Sequence, residues 1–195
     1  MKITFSHLLL IVLSLTLLSA CGPSNEIHLL NVTPPKVSVL PKPNAPKVTV
    51  VEFKDSREET IIGQRRDASS FTSSDNPTLW LSHTLADALA KHGLQVSYTK
   101  SIEQARKGNP DYIVWGRLNK LWLKESSATN LETTIEAVVN LSNRQGRIMH
   151  EPSSVSESRG GLPSSSAAEV LLRSSMVDLV EPMAEKIATT IWKKK

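Results

Sequence analysis

An apolar run near the N-terminus separates a leader from the part of the chain that can form a folded core. Residues 8–18 are mostly leucine, isoleucine and valine, and one lysine, Lys2, precedes them. The run is about a dozen residues long, whereas a membrane-spanning helix needs about 20. It has the length of the apolar region of a signal peptide, and the small residues Ser19 and Ala20 separate it from Cys21. The sequence therefore predicts a signal peptide at 1–20.

The residues Leu18, Ser19, Ala20 and Cys21 resemble the lipobox of bacterial lipoproteins. That resemblance implies cleavage before Cys21 and acylation of its sulfur and amine, so membrane lipid is the first expected partner and palmitate an expected modification. Two or three chains hold a protein firmly, since each buried methylene contributes about 0.8 kcal/mol. Gly22 stands where an aspartate would imply retention in the inner membrane. This favours the periplasmic face of the outer membrane.

A proline-rich stretch follows Cys21 and predicts a lipidated tether at 21–46. Such segments are stiff and rise about 3.1 Å per residue, so a tether of this length would hold the domain tens of ångströms from the membrane. Apolar residues such as Ile27 and Leu29 have no use in a solvated tether. We therefore expect 27–32 or 37–40 to dock as an edge strand. The prolines that define the stretch are Pro34, Pro35, Pro41, Pro43 and Pro46.

Strand and helix patterns beyond the tether predict a single α+β domain at 47–195. Residues 131–141 alternate apolar and polar side chains, as a half-buried antiparallel strand does. The first strand–helix–strand unit is expected to be a parallel crossover. We predict a mixed, mostly antiparallel sheet packed by helices on one face, with a long C-terminal helix. The predicted elements are strands at 47–53, 94–98, 111–124, 131–141 and 147–158, and helices that begin near 77, 101 and 166.

Individual residues predict local features of these elements. Asn76 precedes a proline and caps the first helix. Ser166 and Glu169 have the spacing of a capping box for the last helix. Gly116 is expected to mark a β-bulge, and Pro182 to kink or break the last helix.

No sequence pattern indicates catalysis. The histidines stand singly, without the spacing of a metal site, and one cysteine cannot form a thiolate cluster. No serine lies in Gly-x-Ser-x-Gly, and no glycine-rich phosphate loop occurs. The net charge of +4 is scattered, which argues against a nucleic-acid partner. We predict no enzymatic activity, no cofactor and no metal; a hydrolase that pairs loop carboxylates such as Asp55 and Asp67 is the third-ranked alternative.

A strand that ends in Asp55-x-Arg57 is followed by Ile62-Gly63, then by a helix with Leu-Ala-Asp-Ala-Leu at 85–89 and a strand with Gly-Leu-Gln-Val at 93–96. These short motifs resemble the YajG-type family of bacterial outer-membrane lipoproteins. The resemblance covers roughly the domain from Val48 onward, without the tether and the region of Pro182, and implies an envelope lipoprotein with an α+β fold. It supplies no catalytic residues.

The candidate binding features are residues 55–67 of the long polar loop at 55–76, the sheet edge, and two tryptophans near element ends. A loop of this length in a compact domain is often functional, although Asp55 and Arg57 also have the spacing of a salt bridge that fixes the loop. We expect a non-enzymatic adaptor or structural component that binds an envelope protein or peptidoglycan. The alternative is an auxiliary lipoprotein of an ABC-type lipid-transport system, which would need an apolar groove. The candidate partner-binding residues are Asp55, Arg57, Arg65, Arg66, Trp122 and Trp192.

Overall fold

The computed structural model of the protein describes residues 24–29 and 40–194. The predicted signal peptide, Cys21 and residues 30–39 of the predicted tether lie outside the described residues. The strands are β1 Lys47–Val51, β2 Lys54–Asp55, β3 Gly63–Gln64, β4 Ser70–Phe71, β5 Gln95–Thr99, β6 Tyr112–Ser127, β7 Asn130–Asn143 and β8 Gly146–Gly160. The helices are α1 Pro77–Lys91, α2 Ile102–Lys107 and α3 Ser165–Lys193.

All eight strands form one mixed sheet that is organised around β6. One edge of β6 pairs in turn with β1, β2 and β3, all parallel to it. The other edge pairs with β7, which then pairs with β8, and both pairings are antiparallel. β1 also pairs in parallel with β5, so the predicted β1–α1–β5 crossover is confirmed. Because β6 has 16 residues, it is long enough to receive three successive strands along one edge.

The helices enclose the core mainly from one face of the sheet. α1 packs against α3, and α3 packs against β7 and β8. The short α2 lies on the opposite face, where Ile102 lines the same cavity as Ile113 and Trp115. The order of the strands explains this placement. The chain moves from β1 to β5 through α1, and then back past β1 to β6 through α2. Because these two crossovers run in opposite directions across the sheet and have the same hand, their helices lie on opposite faces of the sheet. The predicted α+β fold with a long C-terminal helix is confirmed.

The predicted alternation of β7 is visible in its burial. Leu131, Ile135, Val139 and Leu141 are at most 2% exposed and face the helices. α3 spans 29 residues and continues through Pro182, so of the predicted kink or break the break does not occur, and the kink stays a prediction. A continuous stripe of buried residues holds both halves of α3 on the sheet, which offsets the backbone hydrogen bond that a proline removes. In the part of the chain that the structure describes, no helix has both the length and the apolar character that a membrane crossing requires.

The two helix caps differ from each other in how well local sequence predicts them. Asn76 caps α1 as predicted, because its Oδ1 accepts hydrogen bonds from the backbone N–H groups of Thr78 and Leu79. The prediction of Ser166 as the cap of α3 is wrong. Ser164 is the cap and accepts from the N–H of Ala167 at 3.1 Å, so the helix begins earlier.

Gly116 does not mark the bulge of β6, and that prediction is wrong. The register with β7 shifts between Leu118 and Lys120 instead. Gly116 is required by packing, because a Cβ at this position would lie 2.1 Å from the carbonyl oxygen of Val138 and 2.4 Å from Cε1 of Phe53. The Phe53 ring thus lies directly on the backbone of the central strand.

Candidate functional site

Arg65 lies at the end of the sheet where β6 turns into β7, and every nitrogen of its guanidinium has an acceptor. Nε donates to Oδ1 of Asn25 at 2.5 Å, Nη1 to Oε2 of Glu125 at 3.2 Å, and Nη2 to the carbonyl oxygen of Ser24 at 3.0 Å. The guanidinium also lies 4.6 Å from the centre of the Phe71 ring. The side chains of Arg65 and Glu125 are only 7% and 14% exposed. A charge this buried is stable only when it is paired and hydrogen-bonded. We call Arg65 and the residues that accept its hydrogen bonds, Ser24, Asn25 and Glu125, the clamp.

The clamp holds a short N-terminal segment, 24–29, against the domain. The N–H of Ile27 donates to the carbonyl oxygen of Thr72, and the N–H of Thr72 donates to that of Asn25, which makes one parallel bridge. The N–H of Leu29 donates to a carboxylate oxygen of Asp75 at 2.8 Å. The side chains of Ile27 and Leu29 are 0% and 6% exposed. Residues 24–29 are therefore part of the folded domain.

The N-terminal end of α3 completes the contact. Ser165 Oγ donates to the same Ser24 carbonyl oxygen at 2.8 Å, and Glu169 accepts from the N–H of His28 at 3.1 Å. Ser24 is three residues beyond Cys21. Ile27 and Leu29 thus enter the core within the predicted tether, which agrees with the expected docking of 27–32 for residues 27–29, the part that the structure describes.

Asp55 and Arg57 form the predicted salt bridge. Arg57 Nε and Nη2 donate to the two carboxylate oxygens of Asp55 at 3.0 and 2.8 Å, and the N–H of Arg57 donates to Oδ1 as well. These hydrogen bonds from Arg57 lower the pKa of Asp55. The Arg57 side chain is 8% exposed, and its Nη1 is buried without a hydrogen-bond partner. The pair fixes the start of the loop that leads from β2 to β3.

A surface cavity of about 390 Å³ opens beside this pair. It brings Arg57 together with Trp122, although no sequence pattern predicts that these two residues lie near each other. Lys120 and Glu136 also line the cavity, with Lys120 Nζ 3.9 Å from Glu136 Oε1, and these charged side chains make the lining polar. We call this the Arg57 cavity. Its lining residues are Ser56, Arg57, Glu58, Glu59, Asn119, Lys120, Leu121, Trp122 and Glu136.

The remaining candidate residues lie elsewhere. Arg66 is exposed in the turn after β3, next to the clamp but outside it. Trp192 lies near the end of α3, at the opposite end of the molecule, where Lys42 Nζ is 5.2 Å from the centre of its ring. The six predicted residues therefore fall into three separate places, and only Asp55, Arg57 and Trp122 come together.

Sequence reasoning missed the partners of the clamp. Asn25, Glu125 and Ser165 are separated from one another by many residues in the chain, and each is an ordinary polar residue in its own segment. The apolar side chains of Ile27 and Leu29 were the available signal, since they indicate that this segment packs on the domain.

Two carboxyl groups share a contact between β8 and α3. Glu157 Oε2 accepts hydrogen bonds from the hydroxyls of Ser174 and Ser175 at 3.0 and 2.5 Å. Asp178 lies against Glu157, and the hydrogen bond between them raises the pKa of Asp178. Residues 24–29 and 40–194 hold no cluster of three metal-ligating side chains. The carboxyl pair is an element of β8–α3 packing.

The raised pKa of Asp178 makes its contribution to stability depend on pH. Because the pKa of Asp178 is raised on folding, its stabilising contribution is complete below the ordinary aspartate pKa of 3.8 and is lost as the pH rises through the raised value. Asp178→Asn removes that loss. We expect this variant to be more stable than the wild type at neutral pH and to lose the advantage below pH 3.8.

Urea unfolding at neutral pH and below pH 3.8 measures the difference in unfolding free energy between Asp178→Asn and the wild type. Asp87→Asn on the exposed face of α1 is the matched control, and its difference from the wild type should be small at both pH values. A stability gain of Asp178→Asn that is equal at both pH values would contradict a raised pKa of Asp178 in the folded protein.

Comparison with known proteins supports the fold. Protein XCC0632 from Xanthomonas campestris, described as DUF330, is similar in structure, with a TM-score of 0.58 and 13% identity over 83% of this chain and 97% of that chain. PelC from Paraburkholderia phytofirmans, a dodecamer, has a TM-score of 0.45 and 17% identity over 75% and 94% of the two chains. Lipoprotein GNA1162 from Neisseria meningitidis has a TM-score of 0.42 and 17% identity over 68% and 96%.

Only the first of these scores exceeds 0.5, and at 13% identity it shows a shared fold alone. A scan against protein-family models found no match, and neither did a search of curated proteins. Membership in the YajG-type family therefore stays a prediction, while the α+β fold is one that this chain shares with XCC0632.

Proposed function

We propose that this protein is a lipoprotein, anchored through acylated Cys21 at the periplasmic face of the outer membrane, and that it is a non-enzymatic binding component of the envelope. The packing of 24–29 on the domain carries the proposal. The predicted leader ends at Ala20, directly before Cys21, and the described residues that pack on the domain begin at Ser24. A folded domain joined directly to a lipidated cysteine is suited to presenting a surface at a membrane.

The Arg57 cavity is the proposed binding surface. It combines a tryptophan, a buried arginine with one unpaired nitrogen, and the exposed charges of Lys120 and Glu58. Tryptophan and arginine are enriched where proteins bind one another. An acyl chain, by contrast, requires an apolar groove. The charged lining therefore favours an envelope protein or peptidoglycan as the partner over the lipid of a transport system.

The anchor is tested by Cys21→Ser. We expect the wild type to fractionate with outer membranes and to incorporate labelled palmitate. The variant should appear in the soluble periplasmic fraction without label, because no sulfur is available for the thioether. If the variant still fractionates with membranes and its palmitate incorporation is unchanged, acylation of Cys21 is not the anchor.

The binding surface is tested by a photo-crosslinking amino acid placed at Glu58, which is exposed and lines the Arg57 cavity. The matched control carries the same probe at Asp87, which is exposed on α1. We expect one adduct with an envelope protein or peptidoglycan at position 58, none at position 87, and loss of the adduct in the Trp122→Ala background. Equal labelling at both positions, or none at position 58, would contradict binding at this cavity.

A further inference from the structure

The end of the domain that carries the clamp is defined by chain turns and by Ser24. The β6–β7 turn and the β8–α3 loop meet there, since the N–H of Gly161 donates to the carbonyl oxygen of Thr129 at 2.9 Å. Ser165 follows that loop and holds Ser24. We call this the anchored end. The β7–β8 turn lies at the other end of β7, about 45 Å away, because β7 has 14 residues that each rise about 3.4 Å.

Covalent geometry limits the distance between the anchored end and the acyl chains. Two residues, Gly22 and Pro23, lie between Cys21 and Ser24, so three residue-to-residue steps join them, and a fully extended chain spans at most about 3.6 Å per step. The lipidated cysteine is therefore within about 11 Å of the Ser24 contact. With the carbonyl of Ser24 held by both Arg65 and Ser165, the domain cannot move far from the bilayer or invert.

One side chain at the anchored end is unusually exposed for its type. Leu162, in the β8–α3 loop, is 81% exposed, the largest exposure of any large apolar side chain in the described residues. It stands three residues before Ser165, so it lies as close along the chain to the Ser24 contact as Cys21 does. Gly160 and Gly161 precede it, and a Cβ added to either glycine would meet no atom within 4 Å. Exposed cations and acids, such as Arg159 and Asp67, are interspersed nearby, so no single sign of charge dominates this end.

We infer that the anchored end faces the membrane and that Leu162 enters the interface between headgroups and acyl chains. This inference rests on the proposed anchor at Cys21. The segment from Cys21 to Ser24, which we call the short link, brings the β8–α3 loop to the lipid surface. Transfer of the exposed Leu162 side chain from water to the lipid interface stabilises this orientation. The domain then stands end-on, with the β7–β8 turn pointing away from the bilayer and the Arg57 cavity accessible from the side.

The test uses the mature lipidated protein in vesicles of phosphatidylethanolamine and phosphatidylglycerol. Cys21 is the only native cysteine and its sulfur is acylated, so one new cysteine accepts a nitroxide label at one site. Leu162→Cys places the label at the anchored end, and Gln145→Cys places it in the exposed β7–β8 turn as the matched control. Flotation of the vesicles first establishes that the protein is attached. Collision with oxygen and with a nickel chelate then reports the depth of each label.

We expect a several-fold higher ratio of oxygen to nickel accessibility at position 162 than at position 145. Flotation with equal, aqueous values at both positions would overturn the inference and leave the anchor intact. Flotation with both labels in lipid would mean that the domain lies on its side, which also overturns it. A protein that does not float at all would overturn the anchor itself, and the inference with it.

The short link has its own variant. Ten glycine and serine residues inserted after Pro23 leave the clamp and Cys21 unchanged but add a flexible coil whose ends separate by roughly 5–6 Å times the square root of its length. We expect the accessibility ratio at position 162 to fall toward that at position 145. An unchanged ratio would overturn the role of the short link in orienting the domain.

Discussion

Replacing Arg65 with methionine is expected to destabilise the domain by about 3–5 kcal/mol, the cost of leaving a buried charge without its partner. Glu125 would keep its carboxylate at 14% exposure with no cation beside it. The substitution also removes the hydrogen bonds that hold Ser24 and Asn25. Urea unfolding of the soluble Cys21→Ser form measures the change as a lower midpoint with a similar slope.

Two further variants separate the clamp from a general loss of positive charge. Arg66→Met removes the adjacent, exposed arginine, and we expect a change within about 0.5 kcal/mol. Adding Glu125→Gln to Arg65→Met removes the unpaired charge and should recover part of the lost stability. Equal effects of Arg65→Met and Arg66→Met would show that the buried pair contributes nothing to folding.

Gly63→Ala is expected to destabilise the domain by about 3 kcal/mol, the upper part of the range for overpacking. A Cβ at Gly63 would lie 1.9 Å from the carbonyl oxygen of Leu123, and backbone atoms cannot rotate away as a side chain can. The β3–β6 pairing would have to separate, including the hydrogen bond from the N–H of Leu123 to the carbonyl oxygen of Ile62 at 2.7 Å. The same denaturation experiment measures this loss.

Gly160→Ala is the matched control for that substitution. Both glycines lie in strands, but a Cβ at Gly160 meets no atom within 4 Å. We expect its stability to remain within about 0.5 kcal/mol of the wild type. A Gly63→Ala protein with wild-type stability would mean that β3 does not approach β6 as closely as described. The requirement for glycine after Ile62 is thus a matter of strand contact.

Local signals explain which parts of the fold were predictable. Asn76 before Pro77 is a complete cap within a few residues, and β7 shows a periodic alternation from Leu131 to Ala137. Such patterns need no information from the rest of the chain. The strands β2, β3 and β4 have two residues each, so none is long enough to display a period.

The clamp was not predictable for a different reason. Arg65 contacts Asn25 and Glu125, which are 40 and 60 residues away along the chain. No spacing rule connects residues so far apart. Asp55 and Arg57 are two residues apart, and their salt bridge was predictable, whereas the proximity of Trp122 depends on the path of β6. The Asp55–Arg57 salt bridge was therefore predictable from the sequence, whereas its place beside Trp122 in the Arg57 cavity was not.

Hydrogen exchange at Ile27 and Thr72 tests whether residues 24–29 are part of the folded domain. Their N–H groups form the bridge that joins this segment to the loop before α1. In the soluble Cys21→Ser form we expect both amides to exchange at least about 100-fold more slowly than in an unfolded peptide, an opening free energy of about 3 kcal/mol at 1.4 kcal/mol per tenfold. Arg65→Met should abolish this protection. Free-peptide exchange at Ile27, while the amide of Val114 in β6 remains protected, would contradict the account.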